Sequence, residues 1–215
     1  MSQKTRRLGL VGAITLLAVT TPAAAQDAGH AVTQGQFVIR RGKDTVAVER
    51  FTRDGSSLTG DIVQPAGAHL QYTVLLEPNG TTERVDLTRT PRQGSPISVG
   101  VEFGARSANA VMTAAEGREE VDFPTPLPAT PFLIQSFAIT EQIVRTARLA
   151  PGQQTKWTAV RLGAGDTATV TIARFHADSV SLTMADVAVT VALDKAGRVV
   201  GAIHSRQPWV LERVR

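Results

Sequence analysis

The sequence predicts a mainly β (α+β) fold, an antiparallel meander curved into a half-barrel or open barrel with one principal amphipathic helix packed on it. Three observations predict it. First, Val187, Val189, Val191 and Leu193 fall on one side of an extended chain, with Ala188, Thr190 and Ala192 on the other. A period of two with β-branched residues marks a half-buried strand. Second, runs of this kind recur along the chain, separated by Gly, Pro, Asn and Asp turns such as Asp194 to Gly197; that recurrence is the mark of hairpins following one another. Third, a single stretch, Phe132 to Leu149, carries the helical period instead.

The strands follow in order. Phe37 and Ile39 share one side of Gln36 to Arg41. After the turn Gly42-Lys43-Asp44, the run Thr45 to Arg53 puts Ala47, Glu49 and Phe51 together on one side. Asp54-Gly55 is a strong hairpin signal. Ser57 to Val63 comes next and Pro65-Ala66-Gly67 breaks it. Leu70, Tyr72, Val74 and Leu76 are in step on the fourth strand. Pro78-Asn79-Gly80 turns the chain into Thr82 to Thr88, and Ile97 to Phe103 is the sixth candidate. Ala105 to Gly117 fits strand, loop or a short helical turn, and Glu119 to Phe123 fits a short strand. Four prolines between Pro124 and Pro131 favour an extended, semi-rigid joint.

The helix is expected over about 131–149, with Thr130 as N-cap and Pro131 in the first turn. Phe132, Leu133, Phe137, Ile139, Ile143, Val144 and Ala147 form its apolar arc. Glu141 and Arg145, four apart, are expected to pair on the other side. Pro151-Gly152 ends it. Strands resume at Lys156 to Leu162, Thr167 to Phe175, Ser179 to Thr183, the hairpin from Val187 to Ile203, and Trp209 to Val214.

Composition bounds the function. Lys4, Arg6 and Arg7 precede a short apolar run, Leu8 to Val19, and Ala23-Ala24-Ala25 offers small residues for cleavage. This reads as a signal peptide over 1–25, leaving 26–215 as a single domain in the periplasm or outside the cell. The net charge of +4 belongs mostly to that leader. A near-neutral remainder argues against nucleic acid as partner, and the expected mature chain has no apolar run of spanning length. With no cysteine there is no disulfide, thiolate or cysteine-ligated metal.

Reactive groupings are few. There is no Gly-x-Ser-x-Gly elbow. His30, His69, His176 and His204 have no metal-ligand spacing among themselves, so no metal or cofactor is expected. His176-x-Asp178 puts a His and a carboxylate on one side of an extended chain, in what also reads as a polar turn. Glu116, Glu119, Glu120 and Asp122 read as a solvated acidic edge.

The opening Gly35-Gln-Phe-Val-Ile-Arg-Arg-Gly42, the run Val48-Glu-Arg-Phe-Thr-Arg53 and the closing Asp194-Lys-Ala-Gly-Arg198 resemble exported bacterial domains of unknown function. With the meander, the Pro-rich joint and the lone helix, the organisation resembles the periplasmic half-barrel lipoprotein carriers of the LolA/LolB-like type. That resemblance implies an unclosed barrel wrapped partly around a helix, with an apolar groove. The function expected is non-catalytic: binding or carrying a hydrophobic, lipid-like ligand in the cell envelope. Phe132, Phe137, Ile143, Trp157 and Val189 are the expected lining. Two alternatives stand beside it, an exported hydrolase with a site assembled from His176, Asp178 or His204, and a β-domain that binds an envelope protein.

Overall fold

The computed structural model describes residues 32–65, 67–185 and 187–214. The expected signal peptide lies outside the described residues. The described residues form one 15-stranded sheet around one helix. Eight strands run as a meander: β1 (Thr33–Arg41), β2 (Asp44–Asp54), β3 (Ser57–Val63), β4 (His69–Leu76), β5 (Thr82–Thr90), β6 (Ile97–Phe103), β7 (Ser107–Ala114) and β8 (Gly117–Pro124). The chain then leaves that edge and forms β9 (Ala129–Phe132) at the far edge, followed by helix α1 (Phe137–Ala147). A second meander returns through β10 (Gln154–Arg161), β11 (Asp166–His176), β12 (Ser179–Met184), β13 (Val187–Leu193), β14 (Val199–His204) and β15 (Trp209–Val214). Strand β15 pairs with β1 and joins the two meanders. All neighbours are antiparallel except β9 and β10. The sheet is open: β8 and β9 are its two edges.

The curl starts where aromatic rings lie over glycines. Gly35, Phe51, Gly60 and Tyr72 stand in one row across β1 to β4. A Cβ on Gly35 would lie 2.5 Å from the Phe51 ring, and one on Gly60 would lie 2.0 Å from Tyr72. Alternating bare backbone with large rings lets the strands bend inward without a clash. Phe51 stacks on Phe37 at 5.4 Å, and Phe37 meets Phe137 of the helix at 6.2 Å. The curl brings β9 against β5, with α1 enclosed between β3, β9 and β14.

The helix differs from the sequence expectation in two respects. It begins at Phe137, because the chain before it is used otherwise. Thr158 and Leu162 of the β10 side donate to the carbonyls of Pro128 and Phe132, so 129–132 is strand. Pro131 is tolerated there because alternation turns its missing donor away from β10. The N-cap is therefore Ser136, whose hydroxyl accepts from the Ile139 amide at 3.1 Å. Secondly, α1 has no solvent face over its first eight residues: Phe137 to Val144 are all buried. Glu141 does not pair with Arg145; it turns inward to Arg53 and Arg213. The ambiguous Ala105 to Gly117 resolves as β7, a turn and the start of β8.

Candidate functional site

Two carboxylates hold the helix. Glu49, fully buried on β2, accepts from Tyr72 Oη and Ser136 Oγ at 2.6 Å each, and from the Phe137 and Ala138 amides at 2.7 and 3.2 Å. It thus closes the N-terminal end of α1, where orphan amides and the helix dipole favour an anion. Burial pushes its pKa up, and the four donors pull against that rise. One helical turn on, Glu141, 2% exposed, accepts from Arg213 Nη1 at 2.6 Å and the Val199 amide at 2.8 Å, and faces Arg53 Nη2 at 3.4 Å. The Arg213 guanidinium also lies 5.1 and 5.2 Å from the Phe37 and Phe51 ring centres, a cation over two aromatic faces. Both carboxylates are fully engaged by these donors. Their role is to lock the helix within the curl.

The open side is different. On β6 the concave face is still covered, with Val101 fully buried, and the cover is lost only at Met112 of β7 and Val121 of β8. Across one set of cross-strand partners run Tyr72, Leu87, Val99, Met112 and Glu119; across the next run Val74, Val85, Val101, Ala110 and Val121. Leu87 is 4% exposed, Met112 is 40% exposed and Val121 is 37% exposed. The opposite face carries Glu102, Asn109, Glu120 and Asp122, with Asn109 donating to both Glu120 and Asp122 at 3.0 Å. The pleat therefore sorts apolar residues inward even where nothing packs on them. Facing them are Val160, Leu162 and the turn Gly163–Gly165. The cleft between has a volume of about 340 Å³, within the range of small-molecule sites, roughly 300–1,000 Å³. Arg89, with no hydrogen-bond or ion-pair partner among the described residues, Arg161, held by Asp166, and Glu119 at the β8 edge border it.

No family model and no curated protein matches the chain. Solved structures do. One is a DUF1089 family protein from Pseudomonas aeruginosa, at TM-score 0.55 and 12% identity, covering 74% of this chain and 89% of that one. Another is a beta-barrel-like protein of the domain of unknown function DUF1849 from Brucella abortus, at TM-score 0.53 and 9% identity, covering 86% and 95%. The shared feature is the fold. This chain is a β-barrel-like domain with an open sheet, and the open side of that barrel is where its cleft lies.

The residues expected from the sequence occupy other places in this β-barrel-like domain. Phe132, Phe137 and Val189 are buried members of the main core. Ile143 and Trp157, also core members, border a separate hollow of about 300 Å³ beside Phe103 and Gln142. None of the five lines the open cleft. His176 and Asp178 are exposed at the β11–β12 turn, whereas His204 is buried on the inner side of β14. By register they lie three strands apart and three to four residues out of line, roughly 14 Å by at least about 10 Å on a pleated sheet. His204 Nδ1 accepts from the Arg206 and Gln207 amides at 3.1 Å each, its ring meets Trp209, and burial holds its pKa down. The fold does not bring the three residues together. Among the described residues, no three of His, Asp and Glu gather as a metal site, and no helix is long and apolar enough to cross a membrane.

Sequence reasoning missed Met112 and Val121 because small and charged neighbours blur their alternation. A signal existed in Val99 and Val101. They sit on one side of a strand whose continuation, through β7 and β8, offers apolar partners but no second layer.

Proposed function

We propose that this chain is an exported, non-catalytic envelope protein that binds a hydrophobic, lipid-like ligand in the cleft between the concave face of β5–β8 and the β10–β11 turn. The observation that carries this reading is the uncovered apolar face. Met112 and Val121 stay open to solvent on the inner side of a curled sheet, where a layer would normally cover them. An exposed apolar patch rimmed by polar groups is the usual mark of an interaction site. The cleft suits an elongated apolar chain, and Arg89 at its border suits an acidic end on that chain. The buried helix supports the reading from the other side: it packs between β3, β9 and β14 and leaves the face of β7 and β8 free to take an apolar molecule.

Displacement of a fluorescent fatty acid tests it, with wild type compared against the double variant Met112→Glu and Val121→Glu. Both positions are partly exposed, so the variant keeps its fold, checked by circular dichroism. Wild type is expected to bind, and the variant to bind at least tenfold more weakly, about 1.4 kcal/mol. The reading is overturned if wild type shows no displacement and native mass spectrometry of envelope-extracted protein finds no bound lipid.

A second reading rests on β8, an eight-residue strand with one free edge. A partner protein could add a strand there. Arg118, Glu119, Glu120 and Asp122 on that strand are the kind of charges that discourage indiscriminate edge pairing, which makes this the weaker choice. Envelope crosslinking from a photoreactive residue at 118 would favour it only by trapping one defined protein.

A further inference from the structure

We infer that the pocket at the C-terminal end of α1 is a separate anion-binding site that takes a phosphate-bearing small molecule or head group. The pocket has a volume of about 730 Å³ and lies where the β4–β5 turn, the end of α1, and the β13–β14 turn converge. Four arginines line it: Arg53, Arg145, Arg148 and Arg174. The carboxylates in its lining are Asp54 and Glu77. No lysine is among them.

The four cations are held differently, and the difference argues for a ligand. Arg53 is only 8% exposed and its Nε–H has no partner. Its other nitrogens meet Gln142 Oε1 and Glu141, and Glu141 is shared with Arg213. Arg145 is exposed, with no hydrogen-bond or ion-pair partner among the described residues. It stands close enough to Arg53 for their like charges to oppose each other: burial is the main force lowering the Arg53 pKa, and Arg145 adds to it. Arg148 reaches a single backbone carbonyl, that of Asn79, at 3.5 Å. Arg174 spends its nitrogens on the carbonyls of Leu149, His176 and Ala177, which leaves its charge uncancelled by any carboxylate. A helix C-terminus repels anions through its free carbonyls. Here the cations of Arg145, Arg148 and Arg174 stand against that end, and Arg174 Nη1 donates to the Leu149 carbonyl just past it at 3.0 Å.

Three arginines without a carboxylate partner among the described residues, Arg145, Arg148 and Arg174, therefore face a roomy pocket whose described lining holds only two carboxylates, Asp54 and Glu77. A guanidinium offers paired donors to tetrahedral oxyanions, and a phosphate supplies both the charge and the several acceptors that this set lacks. A single carboxylate would leave donors unused. The site does not depend on the apolar cleft and would stand if that reading failed.

Calorimetric titration with inorganic pyrophosphate tests the site, using wild type, the double variant Arg145→Gln and Arg148→Gln, and Arg41→Gln, an exposed arginine outside both the pocket and the apolar cleft, as a control. The expected result is one site per chain whose affinity falls as salt rises, drops at least fivefold in the double variant, and is unchanged in Arg41→Gln. No heat of binding in wild type, or an equal loss in all variants, overturns the proposal. Glycerol 3-phosphate and phosphatidylglycerol vesicles separate the two sources of phosphate. Binding of the first alone assigns a free metabolite, and binding of the second alone, lost in the double variant, assigns a lipid head group.

Discussion

The two sides of this sheet follow the same pleat to opposite ends. Around β1–β3 and β13–β15 the inner face is crowded: a helix fills the curl, two carboxylates are buried, and each has several partners. Across β5–β8 the inner face is equally apolar in pattern but its cover runs out: Leu87, Val101 and Ala108 are still buried, whereas Met112 and Val121 are exposed. The contrast teaches where rigidity and where binding capacity reside. The first region has spent its polar groups on each other and its apolar surface on the helix. The second holds apolar surface in reserve.

The largest effects should come from breaking the crowded side. Glu141→Ala would leave Arg53 and Arg213 facing each other without their carboxylate. Losing one member of a buried charge network costs about 3–5 kcal/mol, read by chemical denaturation. Glu120→Ala on the open arm, exposed and hydrogen-bonded only at the surface, should change stability by no more than about 0.5 kcal/mol. If the two changes cost the same, the contrast is wrong.

A matched pair of glycines sharpens it. In Gly60→Ala the new methyl meets the Tyr72 ring and hydroxyl at 2.0–2.1 Å, and Tyr72 is tied to Glu49 and cannot swing away. The expected loss is about 1–3 kcal/mol. In Gly100→Ala the nearest atom is Asp86 Oδ1 at 3.1 Å, the end of a side chain that solvent reaches. That change should fall within about 0.5 kcal/mol, by the same denaturation assay.

The crowded side also sets an acid limit. His204 has a folded pKa below its ordinary 6.5 because burial disfavours the cation, and its Nδ1 is already an acceptor for two amides. A depressed pKa means its contribution is intact above pH 6.5 and is lost as pH falls through the folded value. Thermal melts between pH 7.5 and 5 should show a decline that His204→Asn, which keeps an acceptor near the two amides, makes shallower. The smallest stability effect belongs to the open arm: Val121→Glu should fold within about 0.5 kcal/mol of wild type while losing affinity for an acyl chain.

Much of the sheet was legible in the sequence because alternation and turn chemistry agreed. Asp54-Gly55 and Asp194–Gly197 close hairpins in which Gly55 and Gly197 take φ of +40° and +73°, and β3, β6, β13 and β15 begin and end where the pattern does. The helix start was not legible, since Thr130-Pro131 and Ser136 are both acceptable beginnings locally. Pairing with β10, a contact made some thirty residues later, decides between them. The polar anchors were half visible. Glu49 shares a side with Ala47 and Phe51, a carboxylate placed on an apolar face, and nothing local reveals that a helix end would come to meet it. The cleft was least visible, because it exists by the absence of a covering layer, and a strand's own residues do not record what fails to pack on them.

The central claim is that an apolar molecule enters beside Met112. The described chain carries two methionines, Met112 in the cleft and Met184 packed against the core. Their ¹³C-methyl resonances, followed while a saturated fatty acid is titrated in, test it most directly. The account predicts that the Met112 methyl shifts in a saturable way while Met184 stays in place. A Met112 signal that does not move, or a shift confined to Met184, would contradict it.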